Sequence, residues 1–223
     1  MFFSRIHIQR GPAFFQFTRS DVKDSLYAAH KLLWKAFPEA PNAPRDFLFR
    51  QEVRQGLPCF FVVSARRPVN HDLFKIETKD YTPQITNGQR LAFSLTANPV
   101  IARKAEGKKH SEKHDVWMDA KREAKEMRLD PEKLVEHCMN RARQWLVNRA
   151  EPLGFSTEDS QVNVDGYFQH QFYRRKSRPI RFSSLNYEGV LTVTDPELFL
   201  RTLYEGIGRS RAFGCGLMLV RRL

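Results

Sequence analysis

The chain has little cysteine: Cys59, Cys138 and Cys215 are odd in number, far apart and set in apolar sequence. Without a CxxC pair there is neither a disulfide framework nor a thiolate knuckle, and three packed thiols in a reducing cytoplasm is the plain reading. No apolar run approaches the roughly 20 residues that span a bilayer. Arginines interrupt the apolar start MFFSRIHIQR, so no secretory leader is expected there. Acidic residues are also in short supply: 25 Asp and Glu against 37 Lys and Arg leave a net charge of +12. That excess points to a polyanionic partner, nucleic acid ahead of an anionic membrane surface. Apolar residues, at 41% with 18 phenylalanines, exclude a disordered chain and suffice for one large domain or two small ones.

Periodicity divides the sequence into two units. In residues 1–85, Phe2–Ile8 reads as a strand. Val22, Leu26, Ala29, Leu33 and Phe37 form one stripe of a helix that begins near Ser20 and stops before Pro38. Asp46–Glu52 alternates, Gly56-Leu57-Pro58 marks a turn, Cys59–Ser64 and Leu73–Thr78 are strands, and no second helix is signalled. In residues 86–223 a strand at Arg90–Thr96 ends at Asn98-Pro99, and a polar, basic connector runs over Arg103–Asp115. A helix over Leu134–Leu146, strands around Val162–Tyr173 and Ile180–Val193, a helix Pro196–Glu205 and a strand at Leu217–Val220 complete β-α-β-β-α-β. The expected class is α+β: two tandem ferredoxin-like (RRM-like) βαββαβ domains, the first with a degenerate second half. Such domains carry many functions, so function has to be argued from sites.

Glycine is scarce as well, at 11, yet four lie in GIGRSRAFGCG as Gly206, Gly208, Gly214 and Gly216. A dinucleotide fingerprint needs G-x-G-x-x-G ahead of a helix, whereas here position 211 is Arg and a strand follows. The GK[ST] of a phosphate-binding P-loop is absent. What is left is a helix end at Gly206 and Gly208, then a turn at Gly214 and Gly216 where another backbone approaches closely. Arg209 and Arg211 add donors suited to phosphate.

Two further constellations stand out. Tyr27-Ala-Ala-His30 places two polar side chains about 60° apart around the first helix, close enough to share a site, although packing is the commoner role of such a pair. Tyr173-Arg-Arg-Lys-Ser-Arg-Pro-Ile-Arg181 puts five cations in nine residues between two strands. Such a cluster disfavours folding and suits a phosphate backbone, so Arg174, Arg175, Lys176, Arg178 and Arg181 are candidate contacts, with Lys108 and Lys109 behind them. His110 and His114 have i,i+4 spacing but sit in a basic run without carboxylate partners, so neither a metal nor another cofactor is expected.

The pattern G-hydrophobic-G-x5-G-hydrophobic-G before the final strand resembles the glycine-rich loop of CRISPR repeat-processing endoribonucleases. HKLLWKAFP (30–38), RDFLFRQE (45–52), LTANPV (95–100) and YEGVLTVTDPELF (187–199) are similar, in order, to the CasE family of type I-E systems. The stretches 103–115 and 151–180 carry little of the likeness. The resemblance implies an enzyme that binds the stem-loop of CRISPR repeat RNA and cuts at the base of the stem. It also implies that the enzyme stays with the mature crRNA among the other subunits of the type I-E Cascade complex. The family's Tyr-x-x-His falls on Tyr27 and His30, implying His30 as general acid or base and Tyr27 as positioning group or proton donor. Lys31, next in sequence, is placed to stabilise charge on the phosphorane. The chemistry suits these residues: RNA supplies its own 2′-OH nucleophile, and proton transfer by a histidine is typically worth ~10²–10⁴ in rate. The resemblance further implies that the basic hairpin grips the stem, whose narrow major groove leaves backbone and shape as the main features to read. A non-catalytic RNA-binding module of the same fold is the alternative, and a DNA-binding basic scaffold a more distant one; neither calls for His30.

Overall fold

The computed structural model describes residues 1–9, 11, 25–38, 45–103, 111–172 and 179–223, with side chains from Ala29 onward in the first helix. Alternation in β1 (Phe2–Ile8) sets the first sheet: Ser4, Ile6 and Ile8 are buried on one side, leaving Phe3, Arg5 and His7 on the other. β3 (Leu57–Ser64) and β4 (Phe74–Asp80) flank β1, and β2 (Phe47–Arg54) adds outside β3, all antiparallel, in the order β2-β3-β1-β4. Helix α1 (Ser25–Trp34) covers the buried side, packing Ala29, Leu32 and Leu33 with Ile6, Phe49, Phe60 and Val62. The β2–β3 turn is at Gln55-Gly56, both at positive φ, one residue before the expected Gly56–Pro58 turn. That two-residue geometry follows the twist of the strands, and Leu57 and Pro58 become part of β3.

The second sheet repeats the plan. β5 (Arg90–Ala97) and β10 (Ile180–Val193) are central, β11 (Met218–Arg222) lies outside β5, and β8 (Phe155–Ser156) and β9 (Val162–Phe172) both pair with β10. In both sheets the first and third strands are neighbours, the second lies outside the third and the fourth outside the first, which is the ferredoxin-like order. Helices α3 (Pro131–Ala150) and α4 (Pro196–Glu205) pack Trp145, Leu146, Phe199 and Leu203 against Leu91, Phe93 and Leu95. Asp195 caps α4 by accepting from Glu197 N and Leu198 N at 3.0 Å each, with Pro196 in the first turn.

Three features of this half depart from the periodicity. The described parts of the basic connector form a strand pair, β6 (Val100–Arg103) and β7 (Glu112–Asp115). A helix that periodicity does not signal follows at once, α2 (Val116–Glu126), capped by Asp115. Its buried stripe is Val116, Asp119, Ala120 and Ala124, and Asp119 is tolerated there because Arg103 and Arg122 hold its carboxylate. Helix α3 is also longer than Leu134–Leu146, because Asp130 caps it by accepting from Lys133 N at 2.9 Å and Pro131 opens it.

The sheets meet through the faces their helices leave open. Phe3, Phe61 and Tyr81 join Leu217, Leu219 and Tyr204 around Leu48 and Val63. Tyr204 Oη donates to Tyr81 O at 2.9 Å, and Arg50 Nη1 to Ser94 Oγ at 2.6 Å. Among the described residues no helix is long and apolar enough to cross a membrane.

Candidate active site

His30 lies in α1 at the edge of the face that packs on the first sheet and is half-buried. Trp34, four residues on, shares its side of the helix. The Trp34 indole Nε1 donates to His30 Nε2 at 3.3 Å. A ring nitrogen that accepts carries no proton, so neutral His30 has its proton on Nδ1, and that atom is buried. The Trp34 ring meets the imidazole edge-on at 6.2 Å and meets Phe47 at 5.2 Å, so the imidazole is oriented by packing. Tyr27 is three residues earlier on α1, with its side chain outside the described set, and Lys31 is exposed.

The glycine segment reaches His30 from the far end of the chain. After α4, Gly206 and Gly216 come face to face at φ +77° and +94°. Ile207 N donates to Gly216 O at 2.9 Å, and Gly216 N to Thr96 O at 2.7 Å. A Cβ on Gly216 would lie 2.8 Å from Ile207 O, and one on Gly206 would lie 2.8 Å from Gly216 O. Gly206 and Gly216 therefore form a neck too narrow for a Cβ on either, while Gly208 faces Trp145 and Gly214 faces Phe49. Beyond it, Arg211–Phe213 makes one 3₁₀ turn that packs on α1 and β2. The turn is entered through Ser210 at φ +55°, a left-handed conformation unusual for serine, held by Asn98 Nδ2 donating to Ser210 Oγ at 2.7 Å.

Phe213 is the meeting point. Its ring lies 5.9 Å from His30, 5.1 Å from Phe172 and 5.5 Å from Phe182. Phe172 ends β9 and Phe182 lies near the start of β10, so they mark the base of the hairpin tip. Arg174, Arg175, Lys176 and Arg178 at that tip, and Lys108 and Lys109, lie outside the described residues. Arg181 is exposed and pairs across with Gln171. His170 meets Phe182 at a tilt with ring centroids 4.7 Å apart, shares a 2.8 Å hydrogen bond between Nε2 and Ser184 Oγ, and is held by burial below the usual imidazole pKa. A groove of about 680 Å³ beside the hairpin is lined by Tyr167, Gln169 and Arg181 and by Asp115 and Met118 at the start of α2.

The loop arginines differ. Arg209 is exposed and bridges to Asn98, whereas Arg211 is half-buried with Nε donating to Gly208 O at 3.1 Å. Arg45, just before β2, holds its guanidinium 5.8 Å over the Phe47 ring. Burial, and then the Arg211 cation, push its pKa down to about 10. Trp34, Phe213 and Arg45 are site residues that the motifs do not single out. Trp34 had a signal, its i,i+4 spacing from His30; Phe213 and Arg45 arrive only through tertiary packing.

A family model described as CRISPR associated protein matches residues 1–222. The chain is 30% identical over 196 residues to the CRISPR system Cascade subunit CasE of Escherichia coli (strain K12), covering 86% of this chain and 90% of that protein. It is 28% identical over 214 residues to the CRISPR-associated endoribonuclease Cse3 of Thermus thermophilus, covering 87% and 89%. A structure of CRISPR endoribonuclease Cse3 bound to 19 nt RNA aligns with a TM-score of 0.70 at 26% identity, over 99% of this chain and 100% of that one. Thermus thermophilus Cse3 bound to an RNA representing a pre-cleavage complex aligns with a TM-score of 0.68 at 25% identity, over 99% and 98%.

Proposed function

The chain belongs to the CRISPR-associated protein family, in its CasE branch, and from that premise we propose that it is a repeat-processing endoribonuclease. It binds the stem-loop of the CRISPR repeat, cuts the precursor at the base of the stem, and stays with the mature crRNA in the cytoplasm as a Cascade subunit. The names of the relatives, a Cascade subunit and an endoribonuclease, support both halves of this reading. Residues 1–85 contribute the catalytic helix, and residues 86–223 the hairpin and the glycine loop.

The observation that carries the reading is the junction at Phe213, one ring touching both His30 and the base of the basic hairpin. RNA gripped along Arg174, Arg175, Lys176, Arg178 and Arg181, with Lys108, Lys109, Arg209 and Arg211 as further phosphate contacts, then passes beside the imidazole. In the reaction the 2′-OH loses its proton and its oxygen attacks the adjacent phosphorus. The bond from phosphorus to the 5′ oxygen breaks, and that oxygen gains a proton. The products are a 2′,3′-cyclic phosphate and a 5′-OH, and no metal is needed for the balance. His30 performs one of the two proton transfers, and with Nδ1 buried it works through Nε2, which exchanges the Trp34 N–H for the RNA. Tyr27 positions the imidazole or the 2′-OH, or donates a proton, and Lys31 stabilises the phosphorane charge.

The test is an internally labelled repeat hairpin incubated with the protein in EDTA. One cut leaving a cyclic phosphate is expected. Tight binding by wild type without a cut would sink the catalytic reading, and equal affinity for duplex DNA of the same sequence would sink RNA recognition.

A further inference from the structure

Arg45 is half-buried and lacks what such a cation normally has. Its Nη1 is shielded from solvent and has no hydrogen-bond partner among the described residues. Asp46, next in the chain, does not pair with it: Asp46 Oδ2 accepts from Arg66 Nε at 2.6 Å, and Oδ1 is buried without a hydrogen-bond partner among the described residues. No ion pair of Arg45 or Arg211 occurs among the described residues: Asp46 pairs with Arg66, and Arg211 donates to a backbone carbonyl. Buried charges are ordinarily paired, and a guanidinium beside a second guanidinium is worse off than an isolated one. The Phe47 ring under Arg45 offsets part of this through its π face but satisfies no N–H.

Both cations connect directly to the candidate site. Phe47, beneath Arg45, touches the Trp34 ring that holds His30. Arg211 belongs to the same 3₁₀ turn as Phe213, which meets the imidazole. The 3₁₀ turn of the glycine loop packs on β2, and so brings two guanidiniums without an ion pair near enough for the charge of Arg211 to act on Arg45. An oxyanion is the group that would satisfy them, because two guanidinium forks match the oxygens of a phosphate.

We propose that Arg45 and Arg211 together form a subsite for one backbone phosphate of the RNA, next to His30. The inference rests on the RNA-cleaving reading above and adds Arg45 as a phosphate-binding residue. It also carries a signature that a purely structural arginine would not show. Arg45→Met keeps the apolar stem on Phe47 and removes the charge, so it should leave the RNA-free protein at least as stable as wild type while weakening RNA binding.

The experiment uses Arg45→Met, Arg45→Lys and wild type with a repeat hairpin carrying a 2′-deoxy sugar at the cleavage position, so that it binds uncut. Arg45→Met is expected to raise Kd by about 10-fold or more at 0.1 M salt. The slope of log Kd against log salt should shrink by about 0.7–0.9, the loss of one phosphate contact, and Arg45→Lys should retain the slope. The thermal midpoint of RNA-free Arg45→Met should equal or exceed that of wild type, and millimolar inorganic phosphate should raise the midpoint of wild type only. Wild-type binding with an unchanged Kd and slope in Arg45→Met would overturn the subsite, as would a lowered midpoint with the slope intact. If wild type does not bind the hairpin, the functional reading fails instead, and the phosphate-dependent midpoint still decides whether the two arginines hold an anion.

Discussion

Replacing Gly216 by alanine tests the neck of the glycine segment. The new Cβ would sit 2.8 Å from Ile207 O, a backbone atom, at a φ of +94°. The left-handed backbone alone costs an L-residue roughly 1–2 kcal/mol, and forcing packed backbone apart adds about 1–3 kcal/mol. A total near ~3 kcal/mol lowers the thermal midpoint of a chain of this size by about 6–12 °C. Gly88→Ala is the control, because Gly88 has φ +75° with nothing within 4 Å of the added Cβ, leaving only the backbone cost. Circular dichroism melts give both midpoints. Single-turnover cleavage well below them reports the second consequence, since Phe213 hangs beyond the neck and loses its place beside His30. Equal losses in the two variants would refute the close-approach argument, and a Gly216→Ala protein with wild-type rate and midpoint would refute the whole role given to the neck.

Phe213→Ala removes a half-buried ring and should cost about 1–2 kcal/mol, part of the loss for a fully buried phenylalanine. Its cleavage rate should drop about 10-fold or more at saturating protein with little change in Kd; an unchanged rate would detach the loop from the site. The Tyr187 hydroxyl is buried without a partner among the described residues, and burial drives its pKa well above the usual phenol value. Tyr187→Phe is therefore expected to be neutral or stabilising by up to ~1 kcal/mol in urea titration, and a clear loss would contradict this. All three thiols are buried, Cys215 with its pKa pushed up to about 12 by desolvation, so a disulfide reagent at mild alkaline pH should label none in the native protein and three after denaturation. Because burial lowers the His170 pKa in the folded state, protons favour the unfolded chain. Stability should be level above pH ~6.5, fall as pH drops through that value, and level again below the folded pKa. His170→Gln should flatten that fall, and an unaltered profile would count against it.

How much of this was legible in the sequence follows from how local each cause is. The alternation of Phe2–Ile8 and the Asp195-Pro196 opening of α4 are written in neighbouring residues, and both elements lie where those signals put them. Helix α2 was not legible because its buried stripe, after Val116, is two alanines and Asp119, and the burial of that carboxylate depends on Arg122 and on Arg103 from β6. The double GxG spacing announced a close approach, but not that Gly206 and Gly216 would approach each other. His30 stood out through its spacing from Tyr27, while its contact with Phe213 depends on how the two sheets dock, and its link through Trp34 and Phe47 to Arg45 on how α1 packs on β2. A cation without a counter-ion is a tertiary property, and no motif around Arg45 records it.

The central claim is that His30 moves a proton in RNA cleavage. Its most direct measurement is single-turnover cutting of the repeat hairpin, in EDTA, by wild type and His30→Ala at saturating protein. For His30→Ala, hairpin affinity within a few-fold of wild type and a cleavage rate lower by about 10² or more are expected. A His30→Ala protein that cuts the same bond at the wild-type rate would contradict it.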